Sequence, residues 1–434
     1  MNRIILIGNG FDLAHGMSTS YNHFINDYWE KIIEGVRNNI NGNITTRDSI
    51  LENDEIKISN IPSHWNIGRW NDECTTFEGL IDFLKHLNLK LEFKNIFLEI
   101  LTRKKSIQNW VDIEKEYYYL LKESYKDENC SYKIDVLNND FERIKQLLED
   151  YLKGIENNFL NNFSNSENSL KLKSSIGSKI YSEFKLKDFT ESSINKKAEI
   201  EFQNIQNDIK GLKDGMIEEA ELNEESRRLI YRIGKEKPQK EIRKLLVSDY
   251  AYNFFNLMPE EILFLNFNYT FTEKLYLHHN EFDYFDSKKA PKKQIIHIHG
   301  TTDKHDGNNV IFGFGDEIDD DYKSIENLND NIYLENIKSI KYLETDNYKR
   351  LLEFLNSGDY QIFIFGHSCG ISDRTLLNTL FEHKHCCSVK PFYHKKADGT
   401  DNYSDIVRNI TRNFNSKSVL RDKVVNKEYC EPLS

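Results

Sequence analysis

Directly after Arg3 the chain sets an unbroken apolar run, Ile4-Ile5-Leu6-Ile7, and ends it on Gly8-Asn9-Gly10. Apolar residues without alternation, most of them β-branched, predict a strand covered on both faces, as in a parallel sheet. The two glycines let the next turn close tightly and bring backbone N–H groups near an anion or a nucleotide. Side-chain oxygens of Ser18, Thr19 and Ser20 then precede Tyr21, Phe24, Ile25, Tyr28, Trp29 and Ile32 at helical spacing, which predicts a helix.

Between Glu34 and Pro259 the pattern changes to Lys, Glu, Asn and long aliphatics. Tyr117–Leu121, Phe141–Tyr151 and Glu218–Ile233 carry apolar residues at three- and four-residue intervals, so this middle reads as mostly helical. The Asn- and Ser-rich run Asn157–Ser178 and the charged run Lys235–Lys244 read as loops or solvated faces. After Pro259 strand signals return at Ile262–Phe267, Gln294–Ile298, Val310–Phe312, Gln361–Phe365 and Val389–Tyr393. The predicted fold is α/β, a Rossmann-like parallel sheet with a large helical insertion. Residues 1–30 and 256–434 form a discontinuous nucleotide-binding catalytic domain, and 31–255 the mainly helical insertion.

Composition narrows the partners. A chain of 434 residues, 38% hydrophobic, folds without staples, and a net charge of −12 opposes binding of nucleic acid or an anionic membrane over the whole surface. A small nucleotide is the favoured partner, and a homo-oligomer is compatible. Six cysteines lie scattered without framework spacing, no cleavable leader pattern opens the chain, and no apolar run reaches the ~20 residues of a spanning helix. These features predict a reduced, cytoplasmic protein without a membrane partner.

Chemistry gathers just beyond the strands: Gly8-Asn9-Gly10-Phe11-Asp12, then Asn266-Phe267-Asn268-Tyr269-Thr270, His297-Ile298-His299-Gly300-Thr301, and Gly366-His367-Ser368-Cys369-Gly370-Ile371-Ser372-Asp373. Each alone reads equally well as a turn, with Ser372 or Asp373 as a helix N-cap. Together they place polar groups on one rim, beyond the carboxyl ends of the strands, where such sheets bind ligands. Of His297 and His299, the latter adjoins the loop and is expected to face the site. His383-Lys384-His385-Cys386-Cys387 lacks the second ligand pair that zinc requires and reads as a turn before a strand, so no metal is expected there. Asp316–Asp321 reads as a solvated acidic loop.

In their order and wording, the opening I-G-N-G-F-D-L-A-H-G-M-S-T-S-Y, the N-F-N-Y-T block, the I-H-I-H-G block and the I-F-G-H-S-C-G-I-S-D block resemble the AbiH abortive-infection proteins of bacterial phage defence. W-x-D-x-E, here Trp110-Val111-Asp112-Ile113-Glu114, also recurs in that family; on residues alone it reads as a solvated helix start. More distantly the motifs are similar to those of sirtuin-like NAD hydrolases. That likeness implies NAD as substrate, no metal, catalytic roles for Asn268, His299 and Asp12, and ligand binding by Gly8, Asn9, Gly10, Phe11, Gly366, His367, Ser368 and Asp373. Thr270 stands where those enzymes carry Asp, and Asn9 where they carry a small residue. Cleaving the nicotinamide–ribose bond needs a held ribose, a placed water and a base: Asn268 both donates and accepts, and a histidine titrates near neutrality. The pyrophosphate is expected on the Gly8–Gly10 amides. The activity is expected to be released by a phage-derived trigger. Two alternatives stay open: a metal-dependent nuclease or phosphohydrolase using Asp12, His15, His299 and Asp373, and a non-catalytic nucleotide sensor signalling through the insertion.

Overall fold

The computed structural model describes residues 1–41, 49–60, 74–104, 107, 110–126, 130, 132–163, 167–233, 238–278, 290–303, 308–314 and 320–434. Its strands are β1 (Asn2–Ile7), β2 (Ser49–Glu52), β3 (Ile56–Asn60), β4 (Leu89–Phe93), β5 (Glu261–Asn266), β6 (Lys292–His297), β7 (Tyr360–Phe365) and β8 (Cys386–Phe392). Five of them form a parallel sheet in the order β6-β5-β1-β7-β8. The protein is therefore α/β. β1 lies at the centre, Ile5 in register with Phe264 on one side and Phe363 on the other, and every residue from Asn2 to Ile7 is buried. Having both faces covered explains why its apolar run does not alternate.

By contacts the chain divides into two compact units. The first comprises Met1–His15, Asn162–Gly300 and Thr345–Ser434 and holds the parallel sheet. The second comprises Gly16–Asn161 and Thr301–Glu344. Helices such as Glu191–Lys213 and Pro238–Leu246, grouped by sequence with the insertion, thus belong to the sheet's unit.

Within the first unit the sheet buries polar residues as well as apolar ones. The Arg3 guanidinium donates to the Ile180 and Ser182 carbonyls at 2.8 and 2.6 Å and lies over the rings of Phe184 and Phe363. Burial lowers its pKa to about 9. Lys390 on β8 is paired with buried Asp188 at 2.8 Å.

The second unit is mostly helical, but it also contains the antiparallel sheet β2-β3-β4, which helical periodicity did not predict. Ser20 caps the helix Tyr21–Asn41 by accepting from the His23 N–H. Val310–Phe312, expected as a strand, is buried irregular chain, with Phe312 stacked on Phe141 at 5.0 Å. The expected loop at 157–178 is helical where described, in Ile134–Asn162 and Glu167–Ile180. Of 235–244, the part from Pro238 is helical, and 235–237 lie outside the described residues. Residues 316–319 of the acidic run also lie outside them, while Asp321 pairs with Lys122 and Lys126. Glu114 does not sit at a solvated helix start: it is buried and bound to buried Lys338 at 2.7 Å. Among the described residues no helix is long and apolar enough to cross a membrane.

Candidate functional site

Reading outward from β1, the sheet's strand order reverses between β1 and β7, the crevice where open parallel sheets bind ligands. The loops that follow these two strands are packed backbone against backbone. The Gly8 N–H donates to the Phe365 carbonyl at 3.1 Å, and the Gly10 N–H to the Gly366 carbonyl at 2.8 Å. A Cβ on Gly366, which has φ +72°, would sit 2.1 Å from the Phe11 nitrogen. A Cβ on Gly10 would sit 2.8 Å from the Gly366 oxygen. The glycines therefore serve this close approach. Two of the three amides expected to cradle a pyrophosphate, those of Gly8 and Gly10, are spent on the neighbouring loop.

Asp373 occupies the N-cap position of the helix Arg374–Glu382, yet its side chain makes no capping bond. Its carboxylate is turned to two histidines: Oδ1 lies 3.2 Å from His299 Nε2, and Oδ2 lies 3.7 Å from His367 Nε2. All three side chains are buried, and the Phe267 ring contacts both imidazoles, at 5.0 and 4.3 Å between centroids. The Cys369 N–H donates to His367 Nδ1 at 3.0 Å, so the neutral His367 ring carries its proton on Nε2, facing Asp373. Cys369 adopts φ +54° to make this bond, and burial pushes its thiol pKa up, which suits packing rather than nucleophilic attack. Asn409 and Asn413 hold the loop by donating to the Ser368 and Cys369 carbonyls. Ser368 itself is exposed.

Asp12 is fully buried and accepts from the hydroxyls of Thr270 at 2.6 Å and Thr272 at 2.8 Å. Burial raises its pKa to about 6, against the hydrogen bonds of both threonines and the polarity of the Asn268 amide, which lies near it outside hydrogen-bond geometry; the charge of Glu273 adds to the rise. Asn268 Nδ2 falls short of hydrogen-bond geometry with any group and is a buried donor without a partner. Such a donor is costly unless something else accepts from it.

Behind Asn268 lies a second buried acid. Glu273, with no exposed surface, accepts from Asn266 Nδ2 at 2.7 Å and lies 3.1 Å from His297 Nε2. Asn266 Oδ1 in turn accepts from the Asn268 N–H, and His297 Nδ1 meets the Asn268 carbonyl at 3.3 Å. β6 ends at His297, so the chain turns before His299 and the two histidines face different acids, Glu273 and Asp373. His15 stands elsewhere: Nδ1 donates to the Phe11 carbonyl, Nε2 accepts from the Tyr276 hydroxyl, and burial lowers its pKa to about 4.

Phe267, His299, His367 and Asp373 thus form one cluster, and Asn268, the residue after Phe267, lies beside Asp12. Glu273, Thr272, Asn409 and Asn413 were not singled out in the sequence. Thr272 and Glu273 had a signal, since they follow the Asn266–Thr270 block after β5, whereas the two asparagines lie on and just beyond the helix Tyr403–Arg412, far along the chain.

The fold and the rim define an α/β protein of the doubly wound class with buried acid–histidine pairs beyond the carboxyl ends of its parallel strands. Residues 4–394 match the family described as bacteriophage abortive infection AbiH. The chain belongs to that family, which assigns it to phage abortive infection. No curated protein and no solved structure matches the chain.

Proposed function

We propose that this protein defends cells against phage by cleaving NAD or a related nucleotide in the cytoplasm, with the rim of His299, Asp373 and Asn268 as its active site. The observation that carries the reading is the unpartnered, buried Asn268 Nδ2 at the rim that also holds an oriented histidine. Asp373, 3.2 Å from His299 Nε2, orients the imidazole for proton transfer. Asn268 supplies a hydrogen bond to a ribose hydroxyl, and the cost of its burial, eased by the nearby Asp12 carboxylate, is offset in full when ligand is bound. Asp12 contributes negative charge beside Asn268 above about pH 6. The motif likeness to sirtuin-like enzymes supports the choice of nucleotide. A phosphate-binding role for Gly8, Asn9, Gly10 and Phe11 is better assigned to the shape of the loop than to the Gly8 and Gly10 amides.

The test incubates purified protein with NAD, with and without divalent metal, and analyses for nicotinamide and ADP-ribose, beside protection of infected cells. Nicotinamide release that His299→Ala abolishes is expected. Protection that persists in His299→Ala, with NAD untouched by the wild type under activating conditions, would reject this reading.

A further inference from the structure

The rim residue Asn268 has its backbone gripped on both sides. Its N–H is held by Asn266 and its carbonyl by His297, and both of these side chains converge on the fully buried Glu273. The proton count of this cluster is constrained. A backbone carbonyl only accepts, so His297 Nδ1 must carry a proton to bond Asn268. His297 Nε2 faces a carboxylate oxygen, so a second proton lies between Nε2 and Glu273 Oε1. Asn266 Nδ2 donates to the other carboxylate oxygen, which fixes its amide orientation and leaves Oδ1 to accept from the Asn268 N–H.

We propose that Glu273 is a positioning residue: it retains the second proton on the His297–Glu273 pair, and through His297 and Asn266 it fixes Asn268 for its ligand. The assignment rests on Asn268 facing the nucleotide, as in the reading above. Glu273 touches no ligand; it acts on Asn268 through its two arms and, by its charge, raises the pKa of Asp12. A glutamine keeps both arms in place, with its carbonyl accepting from Asn266 and its amide donating to a His297 Nε2 that has lost its proton, while Nδ1–H still holds the Asn268 carbonyl. A leucine removes both acceptors, so that the Asn266 amide and the His297 ring are free to turn and both sides of Asn268 are released.

The experiment uses the full-length protein labelled with ¹⁵N, with the His297 ring assigned by its loss in His297→Asn. In the wild type at neutral pH, both His297 nitrogens are expected to carry protons. In Glu273→Gln, His297 Nε2 is expected bare; in Glu273→Leu, which removes both acceptors, the Asn268 amide is expected to exchange at least tenfold faster and NAD to bind at least tenfold more weakly. A wild-type ring with one bare nitrogen, or unchanged Asn268 exchange in a folded Glu273→Leu protein, would overturn the proposal. If Glu273→Leu does not fold, the ring measurements on the wild type and Glu273→Gln decide it. If the wild type binds no NAD, the nucleotide reading fails, while the ring and exchange measurements still decide the role of Glu273.

Discussion

Asp373 Oδ1 lies 3.2 Å from His299 Nε2, although the two residues come from different strand ends, and the carboxylate forgoes the helix cap that its position offers. An acid placed so fixes the tautomer of the imidazole and favours its protonated form once a proton is taken. On the proposed chemistry, Asp373→Asn lowers nucleotide turnover by roughly 10²- to 10⁴-fold, since the amide can present its donor to Nε2 and reverse the tautomer. Kinetics beside thermal unfolding check this. Full turnover in the Asn variant would remove Asp373 from the mechanism.

Where the β1 and β7 loops meet, side chains are excluded. Gly366→Ala meets the Phe11 nitrogen at a positive φ, and Gly10→Val meets Gly366. Both are expected to lose at least about 3 kcal/mol of stability, through backbone strain and clash rather than through blocked ligand. Chemical denaturation measures it; a Gly10→Val protein as stable as wild type would show that the loops separate readily.

His15 makes stability depend on pH. Its folded pKa of about 4 lies below the ordinary value of 6.5, so between these values the unfolded chain binds the extra proton. The stabilisation is complete above pH 6.5 and is lost as pH falls toward 4, by up to about 3 kcal/mol. Asp12 works the other way: its raised pKa means that stability falls as pH rises from 3.8 to about 6. His15→Gln should therefore remove the rising component between pH 4 and 6.5, read from urea midpoints across that range. An unchanged profile would assign the pH dependence to other groups.

In the second unit, removing one partner of the buried Glu114–Lys338 pair strands a charge. Lys338→Met is expected to cost about 3–5 kcal/mol, and the double change Glu114→Leu with Lys338→Met to recover much of it. Unfolding free energies of the three variants test the coupling. Additive losses would mean that the pair is solvated.

Much of the α/β frame was legible without coordinates because central parallel strands are covered on both faces, and only consecutive apolar residues tolerate that. β1, β5 and β7 announce themselves in this way, each followed by the polar residues that strand ends carry to the rim, whereas the edge strand β6 shows only its last apolar pair. The same signal misled at Val310–Phe312, since an apolar triplet buried by ring stacking on Phe141 reads like a short strand. Local texture also misled at 157–178, where Asn and Ser suggest loops but helices form.

The sequence by itself determined which strands form the sheet and which residue types stand at their carboxyl ends, because period and burial are properties of consecutive residues. Only the tertiary structure decided how those residues are used. Two glycines that suit a phosphate loop instead let two backbones touch, an N-cap aspartate became the partner of two histidines, and Glu273 became the hub behind Asn268. Each of these depends on contacts between segments far apart in sequence, whose distances and hydrogen-bond partners no local pattern encodes.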